Sequence, residues 1–157
     1  MPYHRKGYSV LTIKDLSITR GQGEQSFTVS LPHLSLAEGE VVSLCGSSGC
    51  GKSTLLEMMG LILKPDTLSQ YELSSATLSM DLAPLILSNK QKTLAEIRSK
   101  NLGFMLQNGG LLPFLSVWQN ILLPCQTNGI LADESWLHHL CEKLNINHLM
   151  TKYPKQL

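Results

Sequence analysis

Eight consecutive residues, Gly46-Ser47-Ser48-Gly49-Cys50-Gly51-Lys52-Ser53, fit the spacing G-x-x-x-x-G-K-[ST]. Each residue type has a chemical reason. Glycines let the backbone turn successive N–H groups inward, and such a nest binds anionic oxygens. A helix beginning near Gly51 adds the positive end of its dipole. Lys52 is a mobile cation able to reach β- and γ-phosphates. Ser53 offers a hydroxyl to a hard cation such as Mg2+, and Thr54 donates on the α-phosphate side. Cys50 occupies a variable position of the loop, where its thiol is a bystander. The pattern predicts a polyphosphate cradle formed by Gly46, Ser47, Ser48, Gly49, Cys50, Gly51, Lys52, Ser53 and Thr54. The competing reading is a glycine-rich turn with no ligand.

Such a loop must be held between a strand and a helix. Val41 to Cys45 is a nearly continuous apolar run and predicts a strand buried on both faces, as in a parallel sheet. Gly51 to about Leu63 predicts a helix with Leu55, Leu56, Met59, Ile62 and Leu63 on one stripe, stopped by Pro65. Upstream, Val10 to Ile18 and Phe27 to Leu31 predict strands around a polar turn from Arg20 to Gln25, with Pro32 marking an edge or a bend. Residues 64–92 read as irregular hairpin strands, with apolar runs at Tyr71 to Leu73 and Leu85 to Leu87. A helix over about Lys92 to Ser99 and a strand over Leu102 to Leu106, ending at Gln107, come next. Two further helices are expected. One spans Val117 to Leu123 and stops before Pro124. The other is capped by Asp133 and carries Leu137, Leu140, Cys141 and Leu144 at helical spacing.

Composition narrows the classes. The 157 residues are 43% hydrophobic and 16% charged, with a net charge of +1. That excludes a disordered chain and argues against a nucleic-acid binder, which would carry a basic excess. The charged fraction lies below the roughly 25% of ordinary domains, so some apolar surface is left for a cover. Four cysteines without a C-x-x-C pair argue against a zinc ribbon or a thioredoxin-type site. Cys45, inside its apolar run, reads as a buried thiol in a reducing compartment. No apolar segment follows the basic N-terminus as a signal peptide needs, and Leu55 to Leu63 is far short of a membrane span. Any membrane role is therefore expected to be peripheral. His138 and Cys141 share a helical face, but the leucine stripe of that helix favours core packing over a metal site. Trp118 and Trp136 read as core or partner-facing residues. Lys90, Lys92, Arg98 and Lys100 read as a solvated face.

The loop alone leaves three chemistries open: a GTPase, a small-molecule kinase, or an ATP-driven machine. A guanine-reading N/T-K-x-D motif is missing, since Asn89-Lys90-Gln91-Lys92 lacks the Asp. Arg98 is the only arginine after residue 20, which leaves no arginine cluster for a kinase lid.

Two segments bear a resemblance. GEVVSLCGSSGCGKSTLLEMMGLILKPD, Gly39 to Asp66, resembles the strand, Walker A loop and first helix of the ATP-binding subunits of ABC transporters. LGFMLQNGGLLPFLSVWQNILLP, Leu102 to Pro124, resembles their Q-loop and following helix. The wording R-x-x-x-LGF-x-x-Q-x-x-x-LLP is similar to the lipoprotein-releasing and macrolide-export type. The resemblance runs from Val10 to Leu157. It implies an α/β P-loop NTPase fold of the RecA-like ABC type, incomplete, with an N-terminal antiparallel β part and a helical subdomain. Residues 1–107 would form the nucleotide-binding core and 108–157 the helical subdomain. ATP and Mg2+ are the implied cofactors, with Ser53 and Gln107 on the metal. Gln107 would also couple the site to transmembrane permease subunits. A homodimer of ATP-binding subunits and a cytoplasmic place on the inner face of the plasma membrane are implied as well.

The sequence also departs from that family. Its adenine-stacking aromatic would fall near Thr19-Arg20, so Arg20, or Phe27 after a shift, would have to serve. Gln119 stands where a Glu often precedes the helix Asn, and Leu68 replaces a turn glycine. The signature LSGGQ would begin at Leu157. No catalytic residue is therefore expected within these 157 residues. Ala76 to Met80 followed by Asp81 is a poor substitute for a Walker B strand, because no Glu follows. The expected activity is ATP binding, and hydrolysis in a complete member, driving an exporter or lipoprotein release. A non-catalytic nucleotide-binding fragment that docks on a membrane subunit or a full-length homologue is the alternative.

Overall fold

A computed structural model describes residues 9–74, 79–106 and 109–157. The chain falls into two compact units, Met1–Arg98 and Ser99–Leu157.

In the first unit, strands β1 (Ser9–Arg20) and β2 (Phe27–Ala37) form a long antiparallel hairpin. The turn between them is tight. Gly21 has φ +87°, and a Cβ there would stand 2.4 Å from the Gln25 carbonyl oxygen. β3 (Gln70–Ser74) pairs with the other edge of β1, and β4 (Ser79–Asp81) extends the sheet in the order β2-β1-β3-β4. β2 is thus an edge strand, as Pro32 predicts, since an edge tolerates a missing N–H donor. Alternation places Leu16, Ile18 and Val29 on the buried face, while Thr19 and Thr28 pair their hydroxyls at 3.0 Å on the other.

α1 (Lys52–Met59) buries Leu55 and Met58. It ends earlier than its apolar stripe suggests. Gly60 caps it, and Leu61 turns the chain left-handed at φ 58°, so Leu61 is buried while Leu56 and Ile62 stay largely exposed. Two distant side chains fasten this end: the Tyr71 hydroxyl donates to the Met59 carbonyl, and the Arg98 guanidinium donates to the Leu61 carbonyl. Arg98 therefore has a structural task and is not simply part of a solvated face. Leu85 to Leu87 lies in a short helix, α2 (Ala83–Leu87), instead of a strand. Pro84 opens that helix, and Asp81 accepts from the Ala83 N–H at 3.0 Å, a local preference that outweighs the apolar run. α3 (Gln91–Asn101) buries Leu94 and Ile97 as expected.

The second unit is built on α4 (Val117–Thr127) and α5 (Glu134–Lys143). α4 runs through Pro124 instead of stopping before it. The proline falls in the last two turns, where it removes one donor, and Asn128 binds the Pro124 carbonyl through its backbone N–H and its side chain at 3.2 and 2.8 Å. Asp133 caps α5 as expected, accepting from the Trp136 N–H at 2.9 Å. Cys141 is buried on that helix, whereas Leu144 is exposed.

Two expected strands do not form. Val41 and Leu44 are 94% and 42% exposed, and Met105 is 92% exposed. A strand buried on both faces needs a hydrogen-bonded neighbour on each edge. Among the described residues no strand pairs with 41–45 or with 102–106. Cys45 is exposed for the same reason, contrary to the reading of a buried thiol. Among the described residues no helix is long and apolar enough to cross a membrane.

Candidate functional site

The glycine-rich loop stands at the N-terminus of α1. Its backbone needs the residues it has. Gly51, the N-cap, sits at φ +96°, a conformation most side chains resist. A Cβ there would also stand 2.4 Å from Val29 Cγ2. The loop is thereby seated directly on the buried face of the hairpin. No side chain caps α1 at this end. The first N–H groups of the helix have no intrahelical acceptor and are left for an anion.

Lys52 folds back across the loop. Its Nζ donates to the Gly46 and Ser47 carbonyls at 2.8 and 2.6 Å and lies 3.7 Å from Cys50 Sγ. The cation is thus tied to the carbonyls of its own loop, which is exposed over residues 46–50. Ser53 is exposed on the first turn of α1 and Thr54 is half-buried. The nine residues from Gly46 to Thr54 form one continuous segment, a loop that runs into the first turn of α1. Gln107, the other expected metal ligand, lies outside the described residues, as do residues 76–78 of the Walker B substitute. Asp81 itself accepts from the Tyr71 and Ala83 N–H groups, which gives its carboxylate a capping role.

Sequence reading missed the supports of this cradle. Tyr71 is fully buried, and burial pushes its phenol well above the ordinary tyrosine range. Its tie to α1 has no local sequence signature, because it joins a strand to a helix end that are far apart in the chain. Val29 was legible only as a strand residue.

In the second unit, Asn120 organises the 111–116 turn. Its amide accepts from the Leu112 N–H and donates to the Leu112, Leu115 and Ser116 carbonyls at 2.8–3.2 Å. Gln119 completes a capping box with Ser116, so an amide serves where a Glu was the expected residue. Trp118 stacks on His138 with ring centroids 4.6 Å apart. A cleft of about 500 Å³ opens beside them, lined also by Met150 and Tyr153. No group of three or more His, Cys, Asp or Glu among the described residues could hold a metal ion.

Residues 30–157 match the family model described as ABC transporter. The lipoprotein-releasing system ATP-binding protein LolD of Cytophaga hutchinsonii is 34% identical over 129 residues, covering 78% of this chain and 53% of that protein. The LolD of Leptospira interrogans is 33% identical, covering 90% and 55%. The bacitracin export ATP-binding protein BceA of Halalkalibacterium halodurans is 36% identical, covering 76% and 45%. This chain therefore spans about half the length of these relatives. Among solved structures, the ATP-binding cassette MJ0796, a dimer in a post-hydrolysis state bound to ADP and Pi, matches with a TM-score of 0.70 at 27% identity, covering 94% of this chain and 62% of that one. With residues 30–157, most of its length, matched by the family model, this chain belongs to the ABC transporter family.

Proposed function

We propose that this chain captures ATP at the Gly46–Thr54 cradle, as the nucleotide-binding part of an ABC-type machine that drives export or lipoprotein release. The observation that carries the reading is the position of Lys52. Its ammonium is bonded to the Gly46 and Ser47 carbonyls of the loop, beside a helix N-terminus that no side chain caps. A triphosphate would exchange the carbonyl contacts of Lys52 for charge-assisted bonds, each about 1.5–3 kcal/mol. Ser53, together with Gln107, would hold Mg2+, which would neutralise charge on the β- and γ-oxygens. The proposed partners are transmembrane permease subunits and a second ATP-binding subunit, on the inner face of the membrane. The names of the lipoprotein-releasing and bacitracin-export relatives support that direction.

Titration calorimetry of the 157-residue chain with MgATP tests the reading. Saturable binding that Lys52→Ala weakens more than tenfold is expected. Absence of binding, or binding indifferent to Lys52→Ala, overturns it. Phosphate release is expected to be negligible, because none of the 157 residues is assigned as catalytic base.

A further inference from the structure

Two of the four cysteines, Cys45 and Cys50, bracket the glycine-rich loop, and both are exposed. A turn brings the second back toward the first. The Cys50 N–H donates to the Ser47 carbonyl at 3.4 Å, and Gly49, the third residue of that turn, has φ +79°. A positive φ at this place reverses the chain and favours glycine. The reversal lays the Cys50 thiol over Gly46, where an added Cβ would stand 2.7 Å from Cys50 Sγ. Gly46 follows Cys45 directly, and consecutive Cα atoms are about 3.8 Å apart. One thiol of the pair therefore lies against the residue next to the other. Neither sulfur is held tightly where it is. Cys45 Sγ lies 3.5 Å from Ser43 Oγ and Cys50 Sγ 3.7 Å from Lys52 Nζ, and thiols are weak hydrogen-bonding groups. The other two cysteines are less open. Cys125 is half-buried, and Cys141 is buried with its Sγ 3.7 Å from Met150 Sδ.

We propose that Cys45 and Cys50 form a reversible disulfide that closes the glycine-rich loop to ATP. The oxidant is a small-molecule disulfide of the glutathione class. One cysteine thiolate attacks the sulfur–sulfur bond of that reagent and releases one glutathione. The second cysteine attacks the mixed disulfide and releases the other. Two cysteine thiols are oxidised, one disulfide is reduced, and the two protons pass to the departing thiolates. The ring so formed encloses Gly46, Ser47, Ser48 and Gly49. A disulfide holds its Cα atoms about 4.4–6.8 Å apart, so the two ends of the loop are pinned at that width. Both glycines lose the freedom by which backbone N–H groups turn toward an anion. Cys50, a bystander by its sequence position, thereby becomes a regulator of the site. The effect on ATP rests on the proposed function, whereas the bond itself does not.

The test uses the 157-residue chain before and after incubation with oxidised glutathione, followed by peptide mass mapping and by calorimetry with MgATP. The expected product is lighter by two hydrogens, with the Cys45 and Cys50 peptides joined. Its affinity for MgATP is expected to fall by about tenfold or more, and dithiothreitol to restore it. Cys45→Ser is expected to bind MgATP as the unmodified chain does and to keep that affinity through oxidation. Cys125→Ser is expected to remain sensitive. A mixed disulfide with glutathione and no internal bond overturns the proposal, as does a bridge that engages Cys125 or Cys141. A Cys45–Cys50 bond that leaves MgATP affinity unchanged overturns the closure. A reduced chain that does not bind MgATP overturns the proposed function and the closure with it, a result the peptide map separates from failure of the bond to form.

Discussion

Val29 occupies the space that any side chain at Gly51 would require, its Cγ2 lying 2.4 Å from the position of an added Cβ. An edge strand of the hairpin thereby sets the identity of a residue in the proposed phosphate cradle. Gly51→Ala is expected to lose ATP binding by more than tenfold and to destabilise the chain. The left-handed backbone alone costs about 1–2 kcal/mol. Adding Val29→Ala should recover part of the stability, with a coupling of about 1 kcal/mol in a double-mutant cycle followed by urea denaturation. Strict additivity of the two changes would show that the contact is not what excludes a side chain.

Alkaline pH should loosen the anchor of α1. The folded chain keeps the Tyr71 proton above the ordinary tyrosine range because burial disfavours the phenolate, whereas the unfolded chain releases it near pH 10. A group raised on folding contributes stability that is whole below its unfolded value and is lost as pH rises above it. Stability should therefore fall from about pH 10 upward, by about 1.4 kcal/mol per pH unit from this residue. Tyr71→Phe should flatten that part of the profile. It should also cost about 1–3 kcal/mol at neutral pH, since the Met59 carbonyl loses its donor. Denaturation midpoints between pH 7 and 11 measure both effects.

Thiol chemistry should report on the cradle. Cys45 and Cys50 are exposed and Cys141 is buried, so a maleimide should label the first two quickly and Cys141 only after unfolding. Cys50 Sγ lies 3.7 Å from the Lys52 ammonium. MgATP should therefore slow labelling of Cys50, read by mass spectrometry of peptides. Unchanged Cys50 labelling at saturating ATP would place the nucleotide elsewhere.

Asn120→Asp keeps the size of the side chain and turns its donors into acceptors that face three carbonyl oxygens. A loss of about 2 kcal/mol is expected, seen as a lower urea midpoint in Trp fluorescence. A midpoint equal to that of the unmodified chain would mean the amide does not organise the 111–116 turn.

Local signals were legible wherever the cause is local. The glycine-rich loop that leads into α1, the Asp133 cap, the alternation of Phe27, Val29 and Leu31, and the edge position of Pro32 all follow from neighbouring residues in the chain. Composition likewise pointed to surplus apolar surface, and the exposed Val41 and Met105 are part of it. Tertiary structure decided the rest. Whether 41–45 and 102–106 become strands depends on neighbours that must pair with their backbone, and no apolar pattern can supply those. Where α1 ends depends on Tyr71 and Arg98 reaching it from other elements. That Gly51 must be glycine for a second reason depends on where the hairpin places Val29. Sequence fixes a loop's chemistry because the bonding groups are its own backbone and side chains. The surface that loop rests on comes from packing, which only the folded chain brings together.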